Sequence, residues 1–171
     1  TEDGIITTAP IKGTVPRGAS EAEELLLRED MISDRKERAE HRMLVDLMRN
    51  DVGRIAQPNQ VWVERFDVEA YAEVQHLVSR IKGRLSEHVD VFDAIENIFP
   101  GGSITGCPRT VVCAAIDELE QRSRSFWTGS MGWFEPSTGS SSWNILIRTA
   151  ELHKKRDLWH SRVTAGGGIT I

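Results

Sequence analysis

The chain has 171 residues, 39% of them hydrophobic and 27% charged, with a formal net charge of −5 and a pI near 5.6. Length and composition suit one globular unit with a sizeable core. The acidic balance, with no basic stripe and no interleaving of Lys/Arg with aromatic residues, excludes a nucleic-acid footprint. No apolar run approaches the roughly 20 residues of a spanning helix, and the first residues lack the charged-then-apolar order of a signal peptide, so no membrane is expected and the compartment is expected to be cytoplasmic.

In chain order, Gly4 to Thr8 is β-prone and leads into a loop over residues 9–18, "APIKGTVPRG", which places Lys12 just past a strand end. Ser20 with Glu23 and Asp34 with Glu37 make capping-box patterns, which predict a short helix near 21–30 and a longer one near 35–51 that runs into Asn50, Asp51 and Gly53. Val61 to Phe66 is strand-like, 71–83 and 90–98 read as helices, and Gly101 to Gly106 is a loop before a helix opened by Pro108. Strands are predicted near 127–135, 143–152 and 157–165, with a flexible hairpin loop at Pro136 to Ser142. Early helices and consecutive late strands predict an α+β class rather than a βαβ array, within a single domain over 1–171. Cys107 and Cys113 indicate neither a disulfide framework nor a zinc site.

Candidate chemistry is distributed along these elements. In the second helix Glu40, Leu44, Leu47 and Asp51 fall at i, i+4, i+7 and i+11, so Glu40 shares an inward stripe with apolar side chains. Such a carboxylate needs a partner, either a nearby arginine or a hard cation such as Mg²⁺. His76, read as helical, suits either a structural hydrogen bond or acid–base work. "FPGGSITGCPR" supplies glycines before a Pro-opened helix, a backbone cradle for an oxyanion or carboxylate. It is not a phosphate-binding P-loop, because Cys107-Pro108 stands where Lys and Ser/Thr are required. On "NILIRTAEL" strand alternation groups Arg148 with Leu146 and Ala150 between apolar faces, so a buried Arg148 is expected to grip a carboxylate of substrate or protein. "TAGGGIT" is a second glycine cluster at a strand end.

Together, "PIKGTVPRG", "RAEHRMLVDLMRNDVGRI", "HLVSRIKGRL", "FPGGSITGCPR", "IDELEQRSRSFWTGSMGWF", "ILIRTAEL" and "TAGGGITI" resemble, in order and over nearly the whole chain, the motif series of the chorismate-binding enzymes. That family includes anthranilate synthase component I, aminodeoxychorismate synthase component I and the isochorismate and salicylate synthases. The Lys of "PIKGT" and the wording "FPGGSITG" resemble the aminodeoxychorismate enzymes, whereas anthranilate synthases usually carry Ala at that Lys.

The resemblance implies a layered fold of antiparallel sheets flanked by helices, and a catalyst that aminates chorismate to 4-amino-4-deoxychorismate for para-aminobenzoate and folate, with ammonia from a glutaminase partner. Amination at C2, the anthranilate reaction, is the implied alternative, as is a folded but inactive fragment. By resemblance Glu40 is one of two carboxylates that hold Mg²⁺, Lys12 is the nucleophile that adds at C2, and His76 is the active-site histidine. Arg148 resembles the arginine that grips the pyruvyl carboxylate, Gly166, Gly167 and Gly168 the backbone donors beside it, and Gly13, Thr14, Gly102, Ser103 and Trp133 other substrate-lining positions. Trp133 departs from the Tyr of the relatives, and "GCPR" from their commoner "GAPK". The same resemblance implies a fragment of a catalytic domain incomplete at both ends, with a general acid before it and a second metal carboxylate after it.

Overall fold

The computed structural model describes residues 1–167. Its first part is a sheet built on one central strand, β4 (Val74–Leu85). Along one edge β4 pairs antiparallel with β3 (Ala56–Ala70), and along the other with β1 (Ile5–Thr8) and β2 (Ile11–Pro16) laid end to end. Ala9 and Pro10 only interrupt that second row, and the Pro10 carbonyl still accepts from the Ser79 N–H at 3.2 Å. Lys12 therefore lies inside a strand, not in a loop past one.

Helices α1 (Glu21–Ser33) and α2 (Arg35–Gly53) cover one face of the sheet. Their starts follow the sequence: the Ser20 hydroxyl accepts from the Glu23 N–H at 3.3 Å, and the Asp34 carboxylate from the Glu37 N–H at 2.9 Å. α3 (Val91–Ile98) has a full capping box between Asp90 and Asp93. Ile6, Val52, Ile55, Ala56, Ile81 and Ala94 form the main core, and Met31, Val68 and Leu77 a second cluster under α1.

The helix expected over 71–83 is β4. Val74, Leu77, Val78, Ile81 and Leu85 stand at i, i+3, i+4, i+7 and i+11, a helical spacing that arises by coincidence. What decides is the partner strands. Alternation sends Gln75, Leu77, Ser79, Ile81 and Gly83 to the helix-covered face, where the first four are at most 1% exposed. Two of those buried residues are polar, and the fifth is a glycine because a Cβ there would lie 2.4 Å from Val52 Cγ1. The buried face thus carried too few apolar side chains to show its period of two.

After α3 come a one-turn helix α4 (Gly102–Thr105), where a loop was expected, and α5 (Arg109–Glu120), with Pro108 as its N-cap. The chain then forms two separate hairpins, β5 (Ser130–Glu135) with β6 (Ser140–Ile145), and β7 (Ala150–Lys155) with β8 (Leu158–Val163). The flexible loop expected at Pro136 to Ser142 shrinks to a turn, since β6 already begins at Ser140. The strand expected over 143–152 is broken: residues 146–149 leave the ladder, and Arg148 takes a left-handed φ of 53°. Among the described residues no helix is long and apolar enough to cross a membrane.

Candidate active site

Gly13 organises the first part of the site. β2 pairs Lys12 with Leu77 and Thr14 with His76, so Gly13 is an extra residue, a bulge, with φ +78°. A side chain there would be strained, and its Cβ would lie 3.3 Å from Met31 Sδ and 3.4 Å from Glu37 Oε2. The bulge shifts parity along β2. Lys12 shares the helix-covered side with Leu77, while Thr14 goes with His76, the adjacent residue of β4 that alternation sends to the other side.

Lys12 Nζ lies 2.5 Å from Glu40 Oε2, and Lys36 Nζ lies 3.9 Å from Glu40 Oε1. Glu40 is thus turned toward the sheet, its side chain 18% exposed. Its partner is Lys12, where a nearby arginine was the expected protein partner. The hydrogen bond from Lys12 holds the Glu40 carboxyl below its ordinary range, and the same bond holds the Lys12 ammonium above its own. Glu37, one turn before Glu40, brings a second carboxylate against Gly13. Sequence reading missed it, although the i, i+3 spacing of Glu37 and Glu40 was a usable signal.

On the adjacent pair, Thr14 Oγ1 lies 2.9 Å from His76 Nδ1, and the Gly13 carbonyl 3.4 Å from the same nitrogen. A carbonyl can only accept, so Nδ1 carries the hydrogen that faces the Gly13 and Thr14 oxygens. The neighbours of His76 are strand neighbours, Thr14 and Glu69 across the ladders and the Tyr71 ring at 5.5 Å. They are not the helical neighbours Ala72 and Glu73. Next to Glu40, His41 is fully buried, with Nε2 2.7 Å from Ser79 Oγ and its ring edge-on to Phe66. Burial pushes its imidazole below the ordinary histidine range.

The glycine cradle is more closed than its sequence suggests. Ile104, Thr105 and Gly106 spend their N–H groups on the carbonyls of Gly101 and Gly102 within α4. Gly102 is buried, with the position of an added Cβ 3.6 Å from Asp51 Oδ2. Asp51 in turn holds the Arg109 guanidinium, whose Nη1 also donates to the Asn97 carbonyl at 2.8 Å. Arg109, for which sequence reading found no role, ties the ends of α2 and α3 to the start of α5. A cleft of about 240 Å³ opens beside it between β1, α2, α3 and β6. Ser103 lines it, with Gly101 and Asp51; Lys12, Glu40 and His76 do not.

The C-terminal candidates stand apart. The Arg148 side chain is exposed, so the buried, paired arginine expected from alternation is absent, because the strand that was to bury it ends at Ile145. Trp133 is 56% exposed on β5, opposite Ser142. Gly166 and Gly167 follow β8, and Gly168 lies outside the described residues. Gly166 packs on a residue the sequence reading did not single out: a Cβ there would lie 2.7 Å from the Trp127 ring, which also carries the Arg124 guanidinium 4.8 Å from its centroid. Its signal was the "FWTG" that opens the first hairpin. Among the described residues no hydrogen bond or ion pair joins Trp133, Arg148 or Gly166 to the Lys12, Glu40 and His76 groups.

No cluster of three or more His, Cys, Asp or Glu able to hold a metal occurs among the described residues. Glu40, with Glu37 a turn away, nevertheless offers the hard oxygen donors that Mg²⁺ takes.

The family model described as chorismate binding enzyme matches residues 1–171. Anthranilate synthase component 1 of Aquifex aeolicus is 44% identical over 169 residues, 98% of this chain and 33% of that protein. Aminodeoxychorismate synthase component 1 of Klebsiella aerogenes is 44% identical over 167 residues, 97% and 36% of the two chains. The crystal structure of anthranilate synthase component I from Streptococcus pneumoniae superposes with a TM-score of 0.75 at 39% identity, over 87% of this chain and 32% of that one. The chain therefore belongs to the chorismate-binding enzyme family and has the α+β fold of anthranilate synthase component I. It spans about a third of the length of the curated relatives it matches.

Proposed function

We propose that this chain is the Lys12-bearing part of an aminodeoxychorismate synthase component I, which converts chorismate and ammonia to 4-amino-4-deoxychorismate and water. The observation that carries this reading is Lys12 itself, set by the Gly13 bulge against Glu40 at 2.5 Å. In the proposed sequence the neutral Lys12 amine forms a bond to C2, the ring double bonds shift, and the C4–O bond breaks with the oxygen leaving as water. Ammonia then bonds to C4, the double bonds shift back, and the C2–Nζ bond breaks, returning Lys12. Lys12 must leave Glu40 for this, since the ion pair holds it as an ammonium.

Glu40, with Glu37 beside it, is the proposed holder of Mg²⁺, which when bound supplies positive charge toward the ring carboxylate of chorismate. His76 Nε2 is the proposed proton acceptor, with Thr14 and the Gly13 carbonyl fixing its ring. Gly102, Ser103, Trp133, Arg148 and Gly166 to Gly168 are the proposed substrate contacts. The relatives' designation "component 1" supports a separate ammonia-supplying glutaminase, and the proposed compartment is the cytoplasm.

A second reading has a specific observation behind it: the two relatives are each 44% identical, so overall similarity does not favour 4-amination over the anthranilate reaction. Incubating the intact enzyme with chorismate, Mg²⁺ and ammonia separates them. Chromatography is expected to give 4-amino-4-deoxychorismate, whereas anthranilate would overturn the proposal, and no turnover of chorismate would overturn both readings.

A further inference from the structure

Glu40 is the most contested group in the molecule. One oxygen is taken by Lys12 Nζ at 2.5 Å and the other faces Lys36 Nζ at 3.9 Å. A Mg²⁺ ion bound at its usual distance of about 2.1 Å from the same oxygen would sit inside the space of the Lys12 ammonium, like charge against like charge with little water between. On that oxygen the two cannot sit together, and a cation on the other oxygen would still meet the Lys36 ammonium, whose Nζ lies 3.9 Å from it. The surroundings let Lys12 be the one that moves: its side chain is 37% exposed, and a lysine stem has rotatable bonds enough to swing the amine away without moving the backbone. α2, by contrast, is locked at this point by His41, fully buried and bonded to Ser79 at 2.7 Å. Gly13, lacking a side chain, leaves Glu37 Oε2 room against β2, which brings a second carboxylate to the strand beside Lys12.

We propose that Lys12 and a divalent cation are alternative occupants of Glu40, so that the cation releases the lysine side chain from α2. The protein thereby couples loading of the cation to delivery of Lys12, and the released amine is never free while Glu40 lacks its cation. This rests on the reading of Glu40 as a metal ligand, but not on which carbon of chorismate is aminated.

The test is direct cation binding by the intact enzyme, with Mn²⁺ as the probe and unbound Mn²⁺ read by electron paramagnetic resonance. Lys12→Met, which keeps the stem and removes the charge, is expected to bind Mn²⁺ at least about tenfold more tightly than the unaltered chain. The gain should vanish in Lys12→Met/Glu40→Gln, and Lys12→Arg should stay at the unaltered affinity. Lys36→Met, at 3.9 Å and 80% exposed, should change affinity by less than about threefold. Equal binding by the unaltered chain and Lys12→Met, with both lost in Glu40→Gln, would overturn the exchange while leaving Glu40 as a metal ligand. A gain that survives Glu40→Gln, or an equal gain in Lys36→Met, would overturn it as a mere effect of net charge. Binding that ignores Glu40 altogether would overturn both the exchange and the metal role on which it stands. Lys12→Gln is the substitute if Lys12→Met does not fold, as judged by circular dichroism.

Discussion

The sheet with its helices and the two C-terminal hairpins are made from similar residues and end in different states. In the first, Leu77 and Ile81 are wholly buried, and the core continues through Val52, Ile55 and Ile6. In the second, Ser141 is the one residue of the four strands that is buried, while Leu152, Leu158, Trp159 and Val163 are each at least 67% exposed. The difference teaches where the site is fixed. Lys12, Glu40, Thr14 and His76 are held by strand register and by a helix packed on that sheet, so their contacts follow from burial. Trp133 sits on a hairpin that touches the first region through Phe134 on Phe92 and through the cleft beside α3, and Arg148 lies in the irregular stretch after it, so the packing fixes neither of them against Lys12.

Substitutions can break or sharpen this contrast. The largest effect on stability is expected in the first region: Ile81→Ala removes a fully buried side chain beside Val52 and Ala94 and should cost about 2–5 kcal/mol in urea unfolding. Gly83→Ala should cost about 1–3 kcal/mol, because its Cβ would meet Val52 Cγ1 at 2.4 Å, and repacking is resisted by Ala56 Cβ at 3.3 Å. A smaller effect is confined to acid. Burial lowers the His41 pKa in the folded state, so the unfolded chain takes up the proton first as pH falls below about 6.5. The stability His41 contributes is present above that pH and is lost as pH falls through its folded value. His41→Gln should flatten this acid slope in unfolding measured from pH 7.5 to 5. The smallest effects belong to the hairpins, where Leu158→Ser and Arg148→Ala should each change stability by under about 0.5 kcal/mol. A hairpin variant as costly as Ile81→Ala, seen in the same urea titration, would erase the contrast.

What the sequence disclosed follows the same division. Helix starts at Ser20, Asp34 and Asp90 are local chemistry, a side-chain oxygen and an N–H two or three residues on, and were legible. The motif wording around Lys12, Glu40 and His76 disclosed which residues to watch. Their pairing was not legible, because Lys12 meets Glu40 and Thr14 meets His76 only through long-range strand register and a one-residue bulge. β4 was misread because its buried face includes Gln75, Ser79 and Gly83, each explained by a partner elsewhere in the chain. The break at 146–149 lay in a run that alternates well, and the left-handed backbone at Arg148 has no marker such as Gly or Asn. Arg109 and Glu37 were missed because each matters through a distant contact, with Asp51 in one case and Gly13 in the other.

The most direct test of the central claim, that Lys12 steers amination to C4, is the product made by Lys12→Ala in the intact enzyme with chorismate, Mg²⁺ and ammonia. The account predicts that 4-amino-4-deoxychorismate formation slows by at least about 10²-fold, the scale expected on removing a positioned catalytic group, and that the Lys12-linked adduct expected of the unaltered enzyme without ammonia is absent from the variant's intact-mass spectrum. Formation of 4-amino-4-deoxychorismate at the unaltered rate by Lys12→Ala would contradict it, and would leave Lys12 as a strand lysine paired with Glu40.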